Sequence, residues 1–199
     1  MNYKQLLLAV PRLKGWRETA FVLTLAERNL PNFELFAEVA GQGNGLVIRE
    51  LSDECWKLLV NKEQSPNHVS NLINQLEQLR VVEEDYDMYG VYPASKALEL
   101  LSHVMYSWVN PENRRALEAA QLSLAVVTEF IEYSSEEGAS DDELVSLFKN
   151  HPLVKQEQLF QIETYECIQD ARYPSEELLA ELRELGKNDG VSNIGICLE

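Results

Sequence analysis

The residues best placed to do chemistry sit together near the middle of the chain, Glu83-Glu84-Asp85-Tyr86-Asp87-Met88-Tyr89-Gly90-Val91-Tyr92-Pro93-Ala94. Four carboxylates fall within five residues, and Tyr86, Tyr89 and Tyr92 recur at intervals of three. Carboxylates this close repel one another, so one of them should have a raised pKa or a cation should lie nearby. The basic N-terminal segment is a source of that cation, with Lys4, Arg12, Lys14, Arg17 and Arg28 against only Glu18 and Glu27. Tyrosines at this spacing can line a concave surface on which a cationic or planar ligand rests. A plainer reading has Asp85 and Asp87 making Asx turns, Gly90 supplying a left-handed residue, and the rings wedged between helix ends. Packing is the heavier of the two readings.

Other chemistry is sparse. His68, His103 and His151 are scattered, and although His103 lies one helical turn after Glu99, the paired Glu-x-x-His motifs of di-iron bundles are missing. No metal, cofactor or catalytic residue is therefore expected. Gly41-Gln42-Gly43-Asn44-Gly45 superficially resembles a phosphate-cradling loop, but a helical pattern precedes it where a strand is needed, so it reads as a connector. Cys55 falls on an apolar stripe and reads as a small buried hydrophobe. With Cys167 and Cys197 it makes an odd, widely spaced set that fits reduced thiols in a cytoplasm.

The elements that must position these residues are helices. Apolar side chains recur at three- and four-residue spacing nearly everywhere. The segment 16–29 is apolar on almost all sides and belongs at the centre of a bundle. Pro31 is expected to stop it, with Asn32 capping the next helix. Ser65-Pro66 and Asn110-Pro111 read as cap-and-proline starts, the second opening a helix to about Glu137 that Gly138 ends. Pro93 starts a strongly amphipathic helix. Ser140 to Glu143 has capping-box spacing, Pro152 opens another helix, and Ser175 caps the last. The tail from Asn188 carries Val191, Ile194 and Ile196 between glycines and should pack as an extended, strand-like segment. The expected fold is all-α, a single-domain multi-helix bundle of nine or ten helices over 1–199.

Thirty-three acidic against seventeen basic residues give a net charge of −16 and a pI near 4.6, which disfavours nucleic acid and anionic membrane as partners. The N-terminus has only five consecutive apolar residues before Pro11, too short for a signal peptide or a membrane span, and a cytoplasmic protein is expected. Between Arg115 and Lys149 no basic residue occurs and eight acidic ones do; the plainer and heavier reading is a solvated acidic face, the sharper one a docking surface for a basic partner or for the chain's own N-terminal segment.

Three motifs carry a family resemblance: Ala26-Glu27-Arg28-Asn29-Leu30-Pro31-Asn32-Phe33, Tyr89-Gly90-Val91-Tyr92-Pro93-Ala94, and Ser192-Asn193-Ile194-Gly195-Ile196. Together they resemble the YjaG-like bacterial family, domain-of-unknown-function family 416, over essentially the whole chain. The resemblance implies an all-helical, cytoplasmic bacterial protein and a link to histidine kinase signalling, and it carries over no catalytic residues. The candidate ligand-binding set is Glu83, Asp85, Tyr86, Asp87, Tyr89, Gly90 and Tyr92, with Arg28, Ser192 and Asn193. Convergence of these on one cavity would mark a binding site. The expected function is a regulatory or adaptor protein that binds another protein; the alternative is a small-molecule binder or enzyme built on residues 83–92. Oligomeric state is not legible.

Overall fold

The computed structural model describes residues 1–61, 65–111, 114–135 and 140–197. Among them are nine α-helices: α1 (Tyr3–Ala9), α2 (Trp16–Val39), α3 (Gly45–Val60), α4 (Pro66–Gln78), α5 (Val91–Val109), α6 (Ala116–Tyr133), α7 (Asp141–Asn150), α8 (Pro152–Gln169) and α9 (Glu176–Lys187). Short 3-10 turns occupy Val10–Arg12, Glu83–Asp85 and Asn188–Gly190. The architecture is the expected all-α bundle, and no described helix is long and apolar enough to cross a membrane.

Every residue of α2 from Glu18 to Glu34 is buried, as the all-round apolar pattern requires of a central helix. Helices α3, α5, α6, α8 and α9 all pack on it, α5 most extensively. Pro31 does not stop α2, which continues to Val39. The proline removes one rung, the N–H that would bond the Glu27 carbonyl, at about 3 kcal/mol. The next turns bury Phe33, Phe36 and Ala37. A fully buried large apolar side chain contributes about 1.5–3 kcal/mol, so burial of this turn outweighs the lost rung. Asn32 is accordingly a mid-helix residue and caps nothing. Beyond Ala40 the chain reverses through Gly41, whose φ of 66° suits glycine, and enters α3 at Gly45.

Two other boundaries depart from expectation. Helix α6 begins at Ala116 and not at Asn110-Pro111, because its free amides are met from another helix. Glu18 of α2 accepts from the Arg115 N–H at 2.7 Å and the Ala116 N–H at 3.4 Å, and Arg114 donates to its other oxygen at 3.2 Å. A carboxylate at a helix N-terminus also opposes the positive end of the macrodipole. The expected end of this helix, Glu136 to Gly138, lies outside the described residues. The tail is not an extended strand. After the 3-10 turn it folds back on itself, with Val191 and Cys197 forming an antiparallel bridge and Ser192 N–H donating to the Ile196 carbonyl at 2.8 Å. Burial of Ile194 is as the pattern asked. The capping box at Ser140 and Glu143 and the Ser175 cap are present as read.

The apolar interior is divided. The larger cluster is built on α2, α3 and α5; the smaller joins Val126, Val127 and Ile131 of α6 to Val154 of α8 and Ile194 of the tail. On α6 the sequence of buried residues is Ala120, Ser123, Val126, and on α8 it is Val154, Glu157, Phe160. Polar side chains therefore mark the level at which the two clusters part.

Helix α9 approaches α2 closely at Gly186. A Cβ there would stand 2.8 Å from the Thr24 carbonyl oxygen and 2.9 Å from the Glu27 Cβ. In a free helix Gly→Ala gains about 1 kcal/mol. Here Gly186→Ala is expected to lower stability by about 1–3 kcal/mol, because α9 must move off α2. Urea unfolding of both proteins gives the sign directly.

Candidate functional site

The ten residues singled out above fall into two groups with different environments. Arg28, Ser192 and Asn193 are inside the bundle. Arg28 donates from Nε to the Gly186 carbonyl and from Nη2 to the Leu185 carbonyl, each at 3.2 Å, so a buried cation closes the C-terminal end of α9. Its guanidinium also lies 3.9 Å from the centre of the Phe160 ring. Asn193 accepts from Asn32 Nδ2 and donates to the Ser123 carbonyl, both at 3.1 Å. Ser192 Oγ accepts from the Ile194 and Ile196 amides and holds the tail loop in shape.

These contacts belong to a larger polar layer that the sequence reading did not find. Ser123 and Gln161 each donate to Glu157 Oε1 at 2.7 Å, Asn29 donates to Ser123 at 3.1 Å, and Tyr3 donates to Gln161 at 3.0 Å. Burial pushes the Glu157 carboxyl above the usual glutamate range, while the Gln161 and Ser123 bonds and the Arg28 charge oppose the rise. Burial likewise lowers the Arg28 pKa and raises that of Tyr3. The signal available in the sequence was the polar pair Glu157 and Gln161, one turn apart on a face otherwise carrying Val154, Phe160 and Ile168.

A second buried centre was also missed. Glu27 accepts from Ser52 at 2.7 Å and from Trp56 Nε1 at 2.9 Å, and Arg49 bridges Glu27 to Glu34. This joins α3 to α2 through carboxylates already supplied with partners. Both centres are structural in their geometry.

The second group, residues 83–92, lies at the surface. Asp85 and Asp87 are exposed and Glu83 is half-buried. The three tyrosines go to different neighbours. Tyr86 accepts from Gln42 Nε2 and meets Phe36 edge-on at 4.9 Å, sealing the end of α2. Tyr89 stacks on Tyr133 of α6 with centroids 4.0 Å apart, with Phe130 at 6.1 Å and Tyr92 at 6.0 Å. Partial burial, then the Glu129, Tyr133 and Glu132 charges, push the Tyr89 hydroxyl up to about 12. Gly90 is not left-handed; with φ −54° it leads into α5. The turn Val91 N–H to Met88 carbonyl starts the helix there, so no positive φ is needed. Arg17 and Arg28 do not meet these acids: Arg17 donates to the Ala171 carbonyl just beyond α8, and Arg28 to the end of α9.

One hollow does touch the stretch. A groove of about 420 Å³ runs between α4 and α5, with the largely buried Leu76, Val81 and Leu98 at its base and Glu77, Glu83, Glu84 and Glu99 on its rim; Arg80 is the one cation on its wall among the described residues. Ser102, also on the wall, donates to the Glu99 carbonyl at 2.7 Å, so its hydroxyl is engaged with helix backbone. An open groove with a carboxylate rim suits an extended basic segment better than a reacting centre.

Comparison with known proteins places this geometry in a wider set. The model of a family described as "Protein of unknown function (DUF416)" matches residues 5–197. The protein YjaG of Salmonella typhimurium is 33% identical over 190 residues, spanning 95% of this chain and 94% of its own length. YjaG of Escherichia coli K12 is 32% identical over 193 residues, spanning 96% of each. A crystal structure of a DUF416 family protein from Shewanella baltica superposes with a TM-score of 0.87 at 26% identity, covering 96% of this chain and 98% of the other.

The Glu157 carboxyl supplies a test of the polar layer. A carboxyl with a raised folded-state pKa stabilises the fold fully below the unfolded value, and that contribution is lost as pH rises through the folded value. Glu157→Gln removes the titration. Denaturation across pH 4 to 8 is expected to show the variant gaining stability relative to the parent as pH rises, with a difference slope of up to about 1.4 kcal/mol per pH unit.

Proposed function

The chain belongs to the DUF416 family of proteins of unknown function, and from its surface we propose that it is an adaptor or regulatory protein that binds a basic segment of another protein. The observation that carries this reading is the α4–α5 groove, whose lining is mostly polar and includes four carboxylates above a largely buried apolar base. A net charge of −16 supports it, since long-range attraction speeds encounter with a basic partner. A histidine kinase component is the partner class that the family resemblance implies; the groove itself selects for positive charge. The alternative, a small-molecule site made of residues 83–92 together, has less support, because Tyr86 turns to α2 and Tyr89 to α6.

The test uses a fluorescein-labelled, lysine-rich amphipathic peptide and anisotropy at low and moderate salt. The variant E83Q/E84Q/E99Q is expected to bind about tenfold more weakly, from three rim charges at several tenths of a kcal/mol each. E163Q/E181Q, the same kind of change on α8 and α9, should bind as the parent does. Equal affinity in all three proteins would remove the groove from consideration.

A further inference from the structure

Tyr133 is 65% exposed and Tyr92 46% exposed, yet both rings are ordered against Tyr89 between them. The stack of Tyr89 on Tyr133 is nearly parallel, at 17°. Single apolar residues at a surface need no account, but a group of contacting rings left in water marks an interaction surface. Aromatic faces carry negative quadrupole charge, and Glu129 and Glu132 are exposed on the same end of α6 and act electrostatically on Tyr89. Among the described residues, guanidinium–ring contacts join Arg17 to Trp16, Arg28 to Phe160 and Arg115 to Tyr106.

We propose that Tyr89, Tyr92 and Tyr133, flanked by Glu129 and Glu132, form a platform that receives an arginine side chain of a partner protein. Negative ring faces, two carboxylates and open access are complementary to a cation. Arginine suits them better than lysine, because a planar guanidinium stacks on a ring while its in-plane N–H groups still reach a carboxylate. Tyr92 also stands at three- and seven-residue spacing from Ser95 and Glu99 on the groove wall, so one bound segment can engage both surfaces. The occupant's class rests on the protein-binding reading above, but the residues are ones the groove does not use.

The experiment compares fluorescein-labelled arginine–glycine and lysine–glycine repeat peptides of equal length and charge. The parent protein is expected to bind the arginine peptide roughly threefold to tenfold more tightly. Y92L/Y133L, which keeps apolar bulk and loses the ring faces, should bring the arginine peptide down to the lysine affinity. E129Q/E132Q keeps every ring and should weaken both peptides, and E83Q/E84Q/E99Q should weaken both equally and preserve their ratio. Thermal melts of the parent and variants confirm folding. A parent that binds both peptides equally, or a Y92L/Y133L variant that keeps the arginine preference, overturns the platform and leaves the groove standing. Failure of the parent to bind either peptide overturns the protein-binding reading and the platform with it.

Discussion

Taking a carboxylate or guanidinium out of water costs several kcal/mol unless hydrogen bonds and opposite charge replace the lost hydration. Helix α2 buries Glu18, Glu27, Arg28 and Glu34 in this way. None could stay there unaided, and each is met by another element: Glu18 by the amides that open α6, Arg28 by the carbonyls that end α9, Glu27 and Glu34 by α3. Arg17, at the half-buried start of the same helix, meets the Ala171 carbonyl that follows α8. Hydrophobic burial holds the bundle together, but it is indifferent to small slides of one helix along another. The charges are not, since a shift of one turn would leave an ion buried without a partner.

The polar layer between the two apolar clusters works on the same principle. Asn29, Asn32, Ser123, Glu157, Gln161 and Asn193 come from three helices and the tail. A uniformly apolar interface between α6 and α8 would pack nearly as well in several registers. With Ser123 and Glu157 at one level, the observed register lets Ser123 and Gln161 both donate to Glu157 Oε1. The close approach of α9 at Gly186 adds a steric marker to the electrostatic ones.

Much of this fold was legible because helix periodicity is a local property. The stripe on α5, the capping box at Ser140 and the cap at Ser175 each depend on residues within one or two turns, and each is where the spacing put it. What was not legible depends on partners far along the chain. Pro31 is a stop signal in isolation and a tolerated residue once five helices surround it. Asn110-Pro111 has the composition of a helix start, but the amides of Arg115 and Ala116 are served by a carboxylate 97 and 98 residues away. For the site, the stretch 83–92 was conspicuous by composition, and its surface position fits that. The division of its tyrosines between α2 and α6 could not be read, because spacing of three along an irregular segment does not fix where each ring points. Arg28 and Asn193, read from the sequence as candidate ligand-binding residues, lie among packed side chains and bond to the end of α9, to Asn32 and to Ser123.

The proline in α2 bears on how the chain reaches this state. A helix with a missing rung and buried ions at its centre has little tendency to form by itself, since isolated segments owe their helicity to propensity and an unbroken ladder. Its polar and charged side chains remain better hydrated in a loose chain until their partners arrive, and those of Arg28 and Asn32 are at Leu185, Gly186 and Asn193. Those contacts close loops of about 160 residues, so they form only once the C-terminal part of the chain is present. Until then Phe21, Phe33 and Phe36 have only part of the cover that the finished bundle gives them.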